Sequence, residues 1–209
     1  MSTHHPNQLI FLASASPRRS ALLTQIGVAH EVRPVDIDEA VAPLEDAATY
    51  VQRLASCKAD TLWQQLPAAV LRPVLGADTA VVLDQLVLGK PRDAHDHYAM
   101  LQRLSGRTHQ VHTAVALRYD KGVQVRHSVS QVTFRSLQEQ EMVAYWHSGE
   151  PADKAGGYAI QGLGAVFIAS VNGSYSGIVG LPLFETGELL QLIGWSPATP
   201  RAATATRCG

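Results

Sequence analysis

The chain has 209 residues, 46% hydrophobic and 17% charged, with a formal net charge of -1. That length carries one domain, or one domain with a lobe, around a real core, and the apolar share excludes a disordered chain. So neutral a balance excludes a protein that grips duplex nucleic acid through a basic face, and any phosphate chemistry must come from a local cluster. Cys57 and Cys208 are the only cysteines and build no disulfide framework. No run approaches about 18 apolar residues and no signal peptide opens the chain. The expected setting is a reducing cytoplasm, with no membrane and no nucleic-acid polymer as partner.

Residues 1–7 read as a flexible start, 8–194 as one domain and 195–209 as a disordered tail rich in Pro, Ala and Thr. Leu9–Leu12 predicts a strand that stops at a Ser-rich turn and opens into a helix over Pro17–Ile26. Ser16 suits its N-cap, Pro17 its first position and Gly27 its stop. A short strand at His30–Val35 leads to the acidic turn Asp36–Ala40. A long helix follows over Asp46–Leu66, with Val51, Leu54, Ala55, Ala59 and Leu62 on one face. Val74–Leu83 is a strand turned back by Asp84-Gln85 into Leu86–Leu88, and Asp93–Leu104 is a helix ended by Ser105-Gly106. His109–Tyr119 and Val123–Phe134 form a hairpin around Asp120-Lys121-Gly122. Ser136 and Glu139 make a capping box for a helix ending near Gly149. A Gly-rich segment (Ala155–Gly164), a strand at Ala165–Asn172, a loop through Gly180-Leu181-Pro182 and a helix to Ile193 complete the pattern. Hairpins mixed with crossover helices imply an α/β fold with a mixed sheet.

Four features carry chemistry. Arg18 and Arg19 stand at a helix N-terminus, where the helix dipole disfavours cations unless an anion joins them. With the hydroxyls of Ser14 and Ser16 and the exposed N–H groups of a helix start, they suit a polyphosphate. Asp78 interrupts the otherwise apolar run VLGADTAVVL, so its carboxylate needs a metal, a cation or donors. Gly76 and Thr79 beside it allow a ligand to approach. Lys58 falls on the apolar stripe of its helix, from which a lysine stem can also snorkel to solvent. Lys90, in Gly-Lys-Pro, is held stiffly at the end of a hairpin. Arg18, Arg19, Lys58 and Lys90 could balance a triphosphate with one magnesium ion.

Asp36, Asp38, Glu39 and Asp78 are the acidic candidates for a magnesium or manganese site, of which one or two would reach a metal. The histidines do not have zinc spacing, and neither a Walker A pattern nor GxGxxG occurs. Gln161, in the glycine-rich segment, carries an amide able to accept from N3–H of a pyrimidine and donate to its O4; a strand-end cap is the plainer alternative.

Taken together, SASPRRSALL, DIDE, RLASCKA, GADTAVVL, GKPRDA, MLQRLSGRTHQVHTAVAL, DKAGGYAIQG and VGLPL resemble the Maf family of nucleoside triphosphate pyrophosphatases, over about Leu9–Ile193. The resemblance implies an α/β fold like that of inosine triphosphate pyrophosphatases: a mixed twisted sheet with flanking helices, two lobes around a cleft, and frequent homodimers. It implies hydrolysis between the α and β phosphates with a divalent cation. Carried over by motif, the catalytic aspartate is Asp78, the phosphate-binding residues are Arg19, Lys58 and Lys90 with Ser14, and the metal-side glutamate is Glu39. Arg18, Thr79 and Gln161 match the branch acting on dTTP and UTP. The sister branch, acting on 7-methyl-GTP, tends to have an aromatic residue, Gln and Glu there. Ser176-Gly177 depart from the bulkier pair common in the family. A nucleotide-binding regulator of cell division and a phosphosugar or nucleotide-sugar hydrolase are the competing classes.

Overall fold

Strand β1 (Ile10–Leu12) begins the described chain, and every later element is laid against the sheet it starts. A computed structural model describes residues 9–197, so the predicted flexible start, most of the predicted tail and Cys208 lie outside the described residues. In chain order follow α1 (Pro17–Gln25), β2 (His30–Val32), α2 (Ala47–Gln65), β3 (Val74–Leu83), β4 (Leu86–Leu88), α3 (Ala94–Leu104), β5 (Thr108–Tyr119) and β6 (Gly122–Phe134). Then come α4 (Glu139–His147), β7 (Ile168–Asn172), α5 (Tyr175–Val179) and α6 (Leu183–Gln191). The seven strands form one mixed sheet in the order β2-β1-β3-β5-β6-β7, with β4 paired to β3. β1 runs parallel to β2 and β3, whereas β3, β5, β6 and β7 pair antiparallel, so the α/β class with flanking helices holds.

Alternation along β3 distributes the core. Val74, Ala80 and Val82 pack with Ala114 and Ala116 beneath the Val51, Ala55, Ala59 and Leu62 stripe of α2. Leu75 and Ala77 point the other way, into a cluster with Ile10, Leu12, Val115, Leu189 and Leu190. A third cluster, around Val81, Leu88, Leu101, Phe134, Tyr145 and Tyr158, fills the far end of the sheet.

One edge of β3 is shared by two short strands. β1 pairs with its start, Phe11 opposite Val74 and Leu12 opposite Leu75, while β4 pairs with its end, from Val81 to Leu83. Between them, among the described residues, Gly76–Ala80 have no strand neighbour on that edge. A cleft opens at this gap.

Local readings depart from the structure at several places. Asp120-Lys121 alone turns the hairpin, because Gly122 already pairs with Tyr119 inside β6. Helix α4 starts at Glu139 with Gln138 as its cap, and not at Ser136. The reason is Glu141, whose carboxylate accepts the Gln138 N–H at 2.9 Å and pairs with Arg135. The strand expected from Ala165 begins at Ile168, after a 3-10 turn over Leu163–Phe167. The Glu150 carboxylate curls that turn by accepting the N–H groups of Leu163 and Gly164. Helix α5 replaces part of the predicted loop; its Ser174 cap accepts the Gly177 N–H. Trp195, read from sequence as the start of the tail, packs partly buried on the first cluster.

Candidate active site

The turn after β1 delivers the first cations. Ser16 is the N-cap of α1 but makes no side-chain cap, and its own N–H donates to Ser14 Oγ at 3.3 Å. The first turn of α1 contains no acidic residue, so its N–H groups and the two arginines form an uncompensated positive end. Arg19 is spread across the gap in the sheet. Its Nε donates to the Gly180 carbonyl at 2.7 Å and its terminal nitrogens to Ser14 Oγ at 3.0 Å and Thr79 Oγ1 at 3.2 Å. The guanidinium is thereby oriented, with N–H donors to spare. Burial lowers its pKa from the ordinary value.

The apolar stripe of α2 carries Lys58 inward, leaving it 8% exposed against β3. Even-numbered positions of β3 face α2, and Asp78, 7% exposed, is one of them. Gly76 makes this approach feasible: a Cβ there would lie 2.3 Å from the Ala55 carbonyl oxygen and 2.8 Å from Ala59 N. Lys58 Nζ donates to Asp78 Oδ1 at 2.7 Å and sits 2.5 Å from Glu39 Oε1. Two carboxylates thus converge on one ammonium. Burial pushes the Asp78 carboxyl above its usual range, against the pull of Lys58 and Arg19. Burial also works on Glu39, but the hydrogen bond from Lys58 and the charges of Lys58, Lys90 and Arg19 outweigh it and hold Glu39 low. Of the other carboxylates in the acidic turn, Asp38 accepts the Ala40 N–H, and both Asp36 and Asp38 are exposed.

Arg18 and Lys90 line the same cleft, of about 500 Å³, and so does Gln161 on its far wall. Ser14, Arg18, Arg19, Glu39, Lys58, Asp78, Thr79, Lys90 and Gln161 are all brought to this one space, whereas Asp36 and Asp38, the other acidic candidates named from sequence, do not line it. The wall holding Gln161 is anchored from below. Gly156, at φ +69°, donates its N–H to the Gly89 carbonyl at 2.9 Å, next to Lys90. His97 Nε2 lies 3.0 Å from the Gly157 carbonyl and donates to it, while His109 Nε2 lies 2.7 Å from the Tyr158 hydroxyl. Burial lowers His109 to about 4, so this histidine is neutral.

Tyr50 and Lys154 also line the cleft and were missed in the sequence. Tyr50 shares the helical stripe of Leu54 and Lys58, which is the signal that would have found it. Its hydroxyl donates to the Glu39 carbonyl at 3.0 Å, fixing the acidic turn, and burial with the nearby carboxylates pushes it up to about 12. Lys154, which opens the glycine-rich segment, is ion-paired with Asp153.

Among the described residues no group of three or more His, Cys, Asp or Glu is placed to hold a metal. Glu39 and Asp78, closing on one cationic position, are a two-carboxylate set that fits a hard divalent ion completed by phosphate oxygens and water.

The open edge of a mixed α/β sheet thus faces a cleft in which Arg18, Arg19, Lys58 and Lys90 meet Asp78 and Glu39. The Maf-like protein family matches residues 9–193, and the chain belongs to that family. It is 49% identical over 197 residues to the dTTP/UTP pyrophosphatase of Nitrosomonas europaea, covering 90% of this chain and 95% of that protein. It is 54% identical over 183 residues to the dTTP/UTP pyrophosphatase of Saccharophagus degradans, covering 87% of each. The solved Ham1 protein of Staphylococcus aureus aligns at a TM-score of 0.45 and 13% identity, over 61% of this chain and 72% of that one, too slight a likeness to carry an argument.

Proposed function

We propose that this chain is a nucleoside triphosphate pyrophosphatase that cleaves dTTP and UTP to the monophosphate and pyrophosphate. The observation that carries the reading is the meeting, in one cleft, of the buried Asp78–Lys58 pair, and the exposed Glu39 joined to it, with Arg18, Arg19 and Lys90. The near-half identity to proteins named for that activity supports it.

Asp78 is the general base. Burial raises its pKa above the usual carboxylate value, which makes it a stronger acceptor for a proton from water. The water oxygen attacks the α phosphorus, the bond from that phosphorus to the bridging oxygen breaks, and pyrophosphate leaves with the electron pair. Arg19, Lys58 and Lys90, with the Ser14 hydroxyl and the N–H groups opening α1, hold the β and γ phosphates and stabilise the charge that develops there. Glu39 and Asp78 would hold a Mg²⁺ or Mn²⁺ ion, which supplies charge neutralisation to the phosphate oxygens. Gln161, Thr79 and Arg18 recognise the base; an amide pairs with the neutral imide edge of thymine or uracil. The cytoplasm is the proposed compartment, in keeping with the free Cys57 and with described helices too short or polar to cross a membrane.

Turnover of dTTP in oxygen-18 water tests the bond choice. The label is expected in the nucleoside monophosphate, with pyrophosphate as the other product; orthophosphate and a diphosphate would overturn the reading.

A further inference from the structure

Glu39 reaches Lys58 from residues 33–46, the connection between β2 and α2, which contains neither helix nor strand. A carboxylate on such a segment is only as well placed as the ties that hold the segment. Beside the Tyr50 hydroxyl on the Glu39 carbonyl, the strongest tie is Arg53 of α2. Its Nε and Nη2 donate to the two carboxylate oxygens of Glu45 at 2.6 and 2.7 Å, and Nη2 also donates to the Ala40 carbonyl at 2.9 Å. We propose that Arg53 is a positioning residue: it locks the loop from Ala40 to Glu45 onto α2, so that Glu39 stays closed on Lys58 and Asp78 as a ready ligand for the divalent ion. This rests on the metal-assisted reading of the site above.

The contacts fit that role and no direct one. Neither Arg53 nor Glu45 lines the cleft, so Arg53 reaches a bound ligand only through the loop. A guanidinium holds its donors in one plane and grips both oxygens of a carboxylate at once, which fixes direction as well as distance. The gripped carboxylate is itself part of the loop. Glu45 Oε2 accepts the Ala42 N–H at 3.0 Å, and the Ala42 carbonyl accepts the Glu45 N–H at 3.1 Å. Leu44, inside that closed turn, stands at φ +61°, a conformation that a leucine keeps only where its surroundings impose it. Glu39 to Leu44 are exposed, yet the Glu45 side chain is only 5% exposed, folded in against α2. Arg53 thus holds the chain one peptide away from Glu39 and again at the far end of the loop.

Without the clamp, Asp78 stays in place on β3, but Glu39 is free to leave. The two-carboxylate set then becomes a single carboxylate for much of the time. Affinity for the divalent ion falls, while the cations that hold the phosphates are untouched.

The test measures Mn²⁺ affinity of the complex with a non-hydrolysable dTTP analogue, from the electron paramagnetic resonance signal of the free ion against a protein-free control. Wild type, Arg53→Met, Glu45→Gln, Glu39→Gln and the double variant Arg53→Met/Glu39→Gln are compared, with the melting temperature of each. Arg53→Met is expected to weaken Mn²⁺ binding by about tenfold or more, and Glu45→Gln in the same direction, with metal-free binding of the analogue little changed. In the Glu39→Gln background, Arg53→Met is expected to add almost nothing, because it acts through the side chain already removed. A folded Arg53→Met protein that binds Mn²⁺ like the wild type would overturn the inference, and so would an equal loss in both backgrounds. A wild-type complex that takes up no more Mn²⁺ than the analogue alone would overturn the metal reading and the inference with it. Failure of the wild type to release pyrophosphate from dTTP would overturn the functional reading instead, and coupling between Arg53 and Glu39 in Mn²⁺ binding would still decide the inference.

Discussion

Asp78 and Lys58 are each out of keeping with their surroundings, a carboxylate within an apolar strand and a lysine on the apolar stripe of a helix. That is why both were legible in the sequence. Each anomaly resolves the other in a 2.7 Å contact, and Glu39 joins them. Tyr50 and Lys154 were less visible, because a tyrosine on a helical stripe and a lysine beside an aspartate are ordinary until the fold brings them to the cleft. Asp78→Asn keeps the shape but cannot take a proton, so turnover is expected to fall by roughly 10²–10⁴-fold with much less change in nucleotide binding. Because Asp78 titrates above the usual carboxylate range, the acid limb of kcat should lie above that range as well. Lys58→Met removes a charge that favours the ionised carboxylate, so the remaining activity should show its acid limb moved to higher pH. A limb unmoved in that variant would detach it from Asp78.

At the scale of elements, packing between α2 and β3 decides the geometry of the site. Gly76 lets the helix backbone lie on the strand, and a Cβ would run into main-chain atoms of Ala55 and Ala59 that cannot swing aside. Gly76→Ala is expected to cost about 1–3 kcal/mol or more of stability in urea unfolding. It should also depress turnover, since any retreat of α2 draws Lys58 from Asp78; wild-type stability and turnover would contradict this account. The long elements were legible because their periodicity is strong: α2 with its Asp46 cap, β3 with its turn at Asp84-Gln85, and the β5–β6 hairpin. The short ones were not. Helix α5 covers only Tyr175–Val179 and contains a glycine, and it forms because Ser174 caps it and its residues pack on the sheet. The start of α4 was misplaced because Arg135, from the end of β6, recruits Glu141.

Across the whole molecule, β3 and β5 contribute side chains to all three core clusters, so the two walls of the cleft share a common floor. The far wall hangs on His97 and His109. His109 is held at about 4, below the value of about 6.5 it recovers on unfolding. Its contribution to stability is therefore complete above about 6.5 and lost as pH falls toward 4, where the unfolded chain takes up a proton that the native site refuses. His109→Gln, which still reaches for the Tyr158 hydroxyl but does not titrate, should flatten the decline in melting temperature between pH 6.5 and 4. An equally steep decline in the variant would assign the effect to other groups.

The gap between β1 and β4 leaves Gly76–Ala80 with peptide groups on one edge that, among the described residues, no neighbouring strand protects. In a sheet this is the position of greatest access to water, and here it lies in the cleft beside Asp78. A nucleotide bound as proposed would occupy the place of the missing strand. Amide hydrogens between Leu75 and Val81 should therefore exchange with deuterium measurably faster in the free protein than with a non-hydrolysable dTTP analogue bound. The paired strands β5 and β6 should exchange slowly in both states. A ligand that leaves the β3 rates untouched would have to bind away from the gap, so exchange along one strand reports where the polyphosphate lies.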